Sequence, residues 1–228
     1  MLPDTPSRRL AAVLSLFAAP VLALLFTVFS PPFPDDPVER LAGFADGPLP
    51  GVSAIAFLLM QLPMLVAFLA LGRLLLPEAP RLSAWGTALG VVGCFGHVVF
   101  GGLSMAYLVM AHDESNRAAY AELLASIESS PVMVFAAAGL LGTVLGQLLI
   151  SIALLRTRTG PLWVGPAIWA FLVLEFALTG ISSVAGYLAV LLLTASYWAL
   201  GLELRARSHV DRGDQTVAED LGVLGHGA

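Results

Sequence analysis

Four polar side chains inside long apolar stretches are the residues of this chain most able to do chemistry. His97 and Glu175 can exchange a proton, and Gln61 and Gln147 carry amide groups that donate and accept hydrogen bonds. Such groups are costly in hydrocarbon, so within a membrane they face the bundle interior, pair with one another or line a wet cavity. We therefore treat these four residues as candidates for ligand binding or proton coupling, and we assign no catalytic residue.

His97 lies near the middle of the third apolar stretch, on a helical face that it shares with small residues. Steps of three and four along the chain place on this face Gly86, Gly90, Gly93, Gly101 and Ser104. A seam of small residues is typical of close contact between helices, which directs His97 into the bundle. Two roles stay open for it: a hydrogen bond that fixes packing, or a proton, ligand or metal site.

Glu175 lies toward the outer end of the fifth apolar stretch. A carboxylate at this depth must find a partner, line a wet cavity or extend its side chain to water. Depth alone allows a pairing with His97 or with His112.

The two glutamines have a structural interpretation beside the functional one. Gln147 continues a polar line with Thr143 and Ser151 at a spacing of four. A glutamine within a membrane span often supplies an interhelical hydrogen bond. Gln61 and Gln147 are therefore either packing residues or part of a polar cavity.

Motifs for cofactors and for enzymes are absent from the sequence. A haem held by two histidines is disfavoured because His97 is the only histidine well inside an apolar stretch, and ligation by a histidine and a methionine has no sequence signal. There is no HExxH zinc motif, phosphate-binding loop, GxSxG turn or dinucleotide fingerprint. His112, Asp113 and Glu114 are consecutive, which favours a helix cap over a cation site. The sequence predicts no cofactor and no metal.

Six apolar stretches carry or flank these residues, each long enough to cross a bilayer. They cover residues 10–29, 51–71, 84–111, 131–155, 161–179 and 181–202. A helix needs about 20 residues to cross about 30 Å of hydrocarbon, and the chain is 58% hydrophobic and 12% charged. The sequence therefore predicts an all-α, six-helix transmembrane bundle over residues 1–204, followed by a flexible cytoplasmic tail over residues 205–228.

Arginine is distributed unevenly between the two ends of this predicted bundle. One end has only Arg40 and Arg117, together with eight acidic residues. The other end has Arg8, Arg9, Arg73, Arg81, Arg156, Arg158, Arg205, Arg207 and Arg212. Because arginine near short loops stays cytoplasmic, we expect a multi-pass protein of a bacterial cytoplasmic membrane with both termini in the cytoplasm and an acidic outer face. No basic patch for nucleic acid is present.

The two longer outer loops are predicted to differ. Residues 30–50 include six prolines, which favours an extended, irregular cover over a helix. In residues 112–130, Tyr120, Leu124 and Ile127 recur at helical spacing. That spacing predicts a short amphipathic helix on the outer membrane surface or over the mouth of the bundle.

The predicted cytoplasmic turns share arginine, proline and tryptophan. Residues 154–163 read Leu-Leu-Arg-Thr-Arg-Thr-Gly-Pro-Leu-Trp, and the connection from Arg73 to Trp85 is similar. These turns resemble those of small uncharacterised six-helix bacterial integral membrane proteins. The resemblance implies the six-helix fold, and it implies no activity, cofactor or site residue.

Three functional hypotheses follow. The leading one is binding or transport of a small molecule or ion through an outward-facing polar cavity lined by the four candidates, with the lipid bilayer and that ligand as partners. The alternative is an accessory or assembly subunit, whose buried polar groups only fix helix packing and whose partner is another membrane subunit. A membrane-embedded enzyme comes third, because no nucleophile with a neighbouring base can be assembled.

Overall fold

The described part of the chain is built from α-helices. The computed structural model describes residues 5–224, with side chains described through residue 206. The helices are α1 (Pro6–Phe29), α2 (Pro37–Ala45), α3 (Leu49–Leu75), α4 (Pro80–Ala111), α5 (Arg117–Glu128), α6 (Val134–Thr157), α7 (Val164–Val173) and α8 (Ser183–Leu224). Short 3-10 turns at Glu114–Asn116 and Pro131–Met133 and a π-helical turn at Leu174–Leu178 complete the order. The all-α class predicted from the sequence is confirmed.

Five helices in the described residues are long and apolar enough to cross a membrane. They are α1, α3, α4, α6 with the turn before it, and the segment Ser183–Ala206 of α8. The predicted fifth span, residues 161–179, holds a shorter apolar helix, Val164–Leu178. Its start is delayed because Gly160 takes a positive φ of 80° and the chain turns before the helix begins. A bundle of several apolar helices is confirmed, and six crossings stay a prediction.

The loop over residues 30–50 differs from its prediction, because it contains helix α2. The carboxylate of Asp36 accepts a hydrogen bond from the backbone nitrogen of Val38 at 2.9 Å, and Pro37 occupies the first helical position. Proline is favourable there because that nitrogen has no partner within a helix. The proline-rich composition thus starts a helix where we expected an irregular cover. The amphipathic helix predicted in the next outer loop is confirmed as α5.

The carboxyl-terminal segment continues the last helix, since the backbone of α8 extends through Leu224. The boundary between bundle and tail at residue 205 stays a prediction. Residues 225–228 lie outside the described part of the chain. The mobility of the tail stays a prediction.

Helices α4 and α6 touch through their backbones. A Cβ atom added to Gly142 would lie 2.6 Å from the backbone nitrogen of Gly93, which leaves no room for any side chain. The small-residue seam predicted on α4 is therefore a helix contact at Gly93. Gly101, which the pattern places on the same seam, instead faces α3, where an added Cβ would lie 3.1 Å from the ring of Phe57. The glycines let α4 approach two neighbours at once.

The remaining helices enclose the bundle around this pair. Helix α1 packs against α3 and α8, and α7 packs against α6 and α8. The core that they form is fully or almost fully buried and includes Leu16, Ala19, Phe68, Leu75, Ile150, Val164, Val190 and Tyr197. Helices α1, α3, α4, α6, α7 and α8 therefore surround a common interior.

One end of the bundle is covered by α2, α5 and residues 30–36, which we call the cap. Arg40 of α2 is only 5% exposed and forms an ion pair with Glu128 of α5. Its Nε donates to the carbonyl of Pro34 at 3.1 Å, and its guanidinium carbon lies 4.2 Å from the ring centroid of Phe33. The hydroxyl of Tyr107 on α4 donates to the Glu128 carboxylate at 3.5 Å. A single cation therefore ties the parts of the cap together.

The corner between α4 and α5 is closed by Asp113. Its carboxylate accepts hydrogen bonds from the Asn116 amide at 2.9 Å, the Ser115 hydroxyl at 2.6 Å and the Tyr120 hydroxyl at 3.2 Å. The bond from Asn116, followed by that from Ser115, holds the pKa of the Asp113 carboxyl at about 2. The group is thus ionised at ordinary pH and acts as a turn cap, as the sequence favours. Within the described residues, no cluster of three or more His, Cys, Asp or Glu side chains is placed to hold a metal.

Replacing Gly142 by alanine tests the backbone contact between α4 and α6. Gly142→Ala should lower the free energy of unfolding by about 1–3 kcal/mol, because the new methyl group meets backbone that cannot rotate away. Gly102→Ala is the matched control, since nothing lies within 4 Å of a Cβ at that α4 position. The control should stay within about 1 kcal/mol of the native protein. Denaturant or thermal unfolding in detergent measures both, and equal losses would contradict the contact.

A double-mutant cycle tests the ion pair in the cap. Arg40→Met and Glu128→Gln should each destabilise the protein by about 1–3 kcal/mol, because the first leaves the Glu128 carboxylate without its guanidinium donor and the second removes the negative charge beside the buried guanidinium. The pair should show a coupling energy above about 0.5 kcal/mol. The control cycle uses Arg117→Met and Glu114→Gln, whose nitrogen and oxygen lie 3.6 Å apart with Glu114 84% exposed. Exposed pairs of this kind couple weakly, so similar coupling in the two cycles would show that Arg40 does not hold the cap.

Candidate functional site

One cavity of about 120 Å³ is lined by all four polar residues that the sequence predicts as candidates. They come from different segments: Gln61 from α3, His97 from α4, Gln147 from α6 and Glu175 from the π-helical turn after α7. No sequence spacing links these positions, so only the packing of the bundle brings them together. The cavity also has walls from α1 and α8.

His97 is fixed by its neighbours on α3 and α6. Its Nδ1 lies 3.3 Å from the hydroxyl oxygen of Thr143. The imidazole also meets the ring of Phe57 edge-on, with ring centroids 5.5 Å apart. Among the described residues no hydrogen bond or ion pair joins His97 to Glu175, and the two side chains share the cavity without touching as partners. His112 does not line this cavity, and its Nδ1 lies 2.7 Å from the carbonyl oxygen of Leu108 at the corner.

The two glutamines are almost completely buried. Within the described part of the chain, neither makes the interhelical hydrogen bond that a packing residue is expected to make. Gln61 is 2% exposed, and its amide nitrogen donates to the carbonyl of Phe57 in its own helix at 3.0 Å. Gln147 is 3% exposed, and its Oε1 has no hydrogen-bond partner among the described residues. A buried acceptor without a donor is costly. The cavity thus holds a hydrogen-bonding capacity that the protein itself leaves unused.

Glu175 lies where the helix changes its winding. It belongs to the turn Leu174–Leu178, whose hydrogen bonds follow the wider π pattern, and the Thr179 hydroxyl donates to its backbone carbonyl. Its carboxylate has no ion-pair or hydrogen-bond partner among the described residues. π-Helical turns occur frequently at functional sites because the extra residue redirects a side chain. Here the turn coincides with the acidic residue that lines the cavity.

Aromatic rings form much of the remaining cavity wall, and sequence analysis did not identify them. They are Phe26 on α1, Phe57 on α3, Phe171 on α7 and Phe176 in the π-helical turn. Phenylalanine within an apolar stretch gives no signal of its own, so only the structure reveals this role. Met60 and Met64 also line the cavity, and neither forms part of a recognisable ligand cluster.

A second cavity of about 270 Å³ lies between the first cavity and the cap. Its lining includes Ser30, Phe33, Phe44 and Ser104. Phe26 and Phe57 line both cavities, and their ring centroids are 4.9 Å apart. This aromatic pair therefore separates an inner polar chamber from an outer chamber that lies under the cap.

Arg40 is a further residue whose role the sequence pattern did not reveal. In the sequence it is one of two arginines at an end of the bundle that has eight acidic residues. That imbalance is a signal for an ion pair, because a cation in an acidic region readily finds a carboxylate partner. The structure places it above the outer chamber, where it closes the cap.

Comparison with protein-family models, with curated proteins and with solved structures finds no match to this chain. The resemblance to small six-helix bacterial membrane proteins therefore gains no support and stays a prediction. What the chain does must be argued from the cavity and the groups that line it.

Proposed function

We propose that this chain is a six-span protein of the bacterial cytoplasmic membrane that binds a small molecule or ion in its inner cavity and exchanges it with the outer side. The observation that carries this proposal is the convergence of Gln61, His97, Gln147 and Glu175 on one cavity. Polar groups retained at such cost inside an apolar bundle usually serve a ligand or a proton.

The surface of the bundle supports insertion in a membrane. Large apolar side chains are exposed around it, for example Ile181, which is 82% exposed, and Val109, which is 77% exposed. A soluble protein rarely leaves so much apolar surface in water. The short helix Val164–Leu178 would form the remaining crossing together with its flanking turns. Interrupted helices next to a binding cavity are characteristic of membrane transporters.

The outward direction rests on the charges and on the cap. The end of the bundle that holds α2 and α5 is the end predicted to be external, because it is rich in acids and poor in arginine. The outer chamber lies at this same end. A ligand would enter beneath the cap, cross the pair formed by Phe26 and Phe57, and reach the polar groups of the inner chamber.

The accessory-subunit alternative predicts a different arrangement of hydrogen bonds among the buried polar groups. If they only fixed packing, they would satisfy one another across helix contacts. Gln147 and Glu175 have no such partners among the described residues, which favours a ligand. The contacts of His97 with Thr143 and Phe57 suit the packing interpretation directly.

Thiol accessibility tests whether the inner chamber is wet and open to the outside. In a Cys94→Ala background, Thr143→Cys and Thr27→Cys should react with a membrane-impermeant methanethiosulfonate added from the outer side, because both positions line the cavity. Val98→Cys is the matched control at the depth of His97, since Val98 faces away from the bundle and is 42% exposed. In a bilayer this control should stay unmodified, because hydrocarbon excludes the reagent. The measurement is the rate of labelling of intact proteoliposomes.

Two further variants test the route by which the reagent enters. Ser30→Cys, at an exposed position of the outer chamber, should react fastest and confirms that the reagent reaches this face. Phe57→Ala should accelerate labelling of Thr143→Cys by about tenfold, because it removes one ring of the pair between the chambers. If Ser30→Cys reacts while both threonine positions stay unmodified in all variants, the cavity is dry and the accessory-subunit hypothesis is favoured.

A further inference from the structure

Among the described residues that line the inner chamber, the one buried side-chain atom without a hydrogen-bond partner is an acceptor. The Oε1 of Gln147 is buried and lacks a donor within the described residues. The carboxylate of Glu175 is likewise without a donor there. The amide nitrogen of Gln61 and the Nδ1 of His97 already have partners at 3.0 and 3.3 Å. A ligand that satisfies these two acceptors brings N–H or O–H donors.

The charge of the chamber is negative when Glu175 is ionised. No arginine lines the cavity, and the chain contains no lysine. An ionised carboxylate inside an apolar bundle requires a counter-charge close to it. Since no side chain lining the chamber supplies a permanent positive charge, the ligand is the remaining source. The acidic outer face would also concentrate cations near the entrance.

The walls of the chamber suit an organic cation of limited size. Phe57, Phe171 and Phe176 present aromatic rings to the space, and the centroids of the last two are 6.4 Å apart. Aromatic rings attract cations and at the same time accept alkyl groups. The space is about 120 Å³, which suits an amine with a short alkyl group.

We infer that the ligand of the inner chamber is a small protonated amine, whose N–H groups donate to Gln147 and Glu175 and whose alkyl part lies against the phenylalanine rings. This assignment rests on the proposed binding function of the cavity and adds its substrate class. It follows from three independent features: an orphaned buried acceptor, an unpaired carboxylate and an aromatic wall. Inorganic cations fit the charge but leave the aromatic wall unused, and anions would meet the carboxylate.

Three probes of nearly equal size and shape separate charge from hydrogen bonding. The tert-butylammonium ion has both a positive charge and N–H donors, tetramethylammonium has the charge alone, and tert-butanol has a donor without the charge. Titration calorimetry of the purified full-length protein should give the tightest binding for tert-butylammonium, about tenfold tighter than for tetramethylammonium, because hydrogen bonds to a charged group are strong. Binding of tert-butanol should be the weakest.

Two variants assign the contacts. Glu175→Gln keeps the side-chain shape and should weaken both cations by about tenfold or more. Gln147→Met removes one of the two acceptors and should weaken the binding of tert-butylammonium, which narrows its advantage over tetramethylammonium, whereas the affinity for tetramethylammonium itself should not change. Glu122→Gln on the exposed face of α5 removes an equal charge outside the cavity and should leave all affinities as in the native protein. Thermal unfolding of each variant establishes whether it is folded. If Glu175→Gln does not fold, Gln147→Met alone tests the assignment.

The outcomes separate this inference from the proposed function. If Thr143→Cys is labelled from outside but tert-butanol binds as well as tert-butylammonium, or neither binds, the amine assignment is wrong and a wet binding cavity remains. If Glu175→Gln and Gln147→Met bind both cations with the affinity of the native protein, the amine lies elsewhere and the assignment also fails. If the cavity is closed to thiol reagents, the assignment and the proposed function fail together.

Discussion

The backbone contact between α4 and α6 is the constraint on which the rest of the structure depends. In the membrane setting proposed above there is little hydrophobic gain in bringing two apolar helices together, so close packing would hold them. Glycine permits this packing because Gly93 and Gly142 meet without side chains between them. The contact sets the depth and the rotation of both helices. It thereby places His97 against Thr143 and directs Gln147 into the same interior.

The inner chamber is the part of the interior that this packing does not fill. A closed bundle would satisfy its buried polar atoms or replace them by apolar ones, because each unpaired group costs free energy. The chain instead keeps an unpartnered amide oxygen on Gln147 and interrupts the regular winding of a helix at Glu175. Local violations of good packing that converge on one space are typical of functional sites. Their convergence here carries more weight than any of them alone.

The sequence predicted the parts of this arrangement that depend on composition and period. Long apolar runs gave the helices, and the small-residue period gave the α4 contact and directed His97 inward. Features decided by local or tertiary geometry were not accessible. Helix α2 was obscured because prolines usually break helices, whereas Asp36 and Pro37 start one. The π-helical turn at Glu175 leaves no mark in the apolar pattern. The convergence of four polar residues from different segments on one cavity required the packing itself, because depth along a helix does not fix rotation.

The two closures above the inner chamber differ in what opening would cost. Separating Phe26 from Phe57 breaks only the contact between the two rings. Each ring lines both cavities and therefore has space into which it can move. Separating Arg40 from Glu128 exposes two charges, but at the outer end of the bundle water can take the place of the lost partner. At the glycine contact water cannot replace the lost partner in this way, because separating α4 from α6 would leave a void in the core. Opening is therefore cheapest at the cap end, which is the direction that an exchange of ligand with the outer side requires.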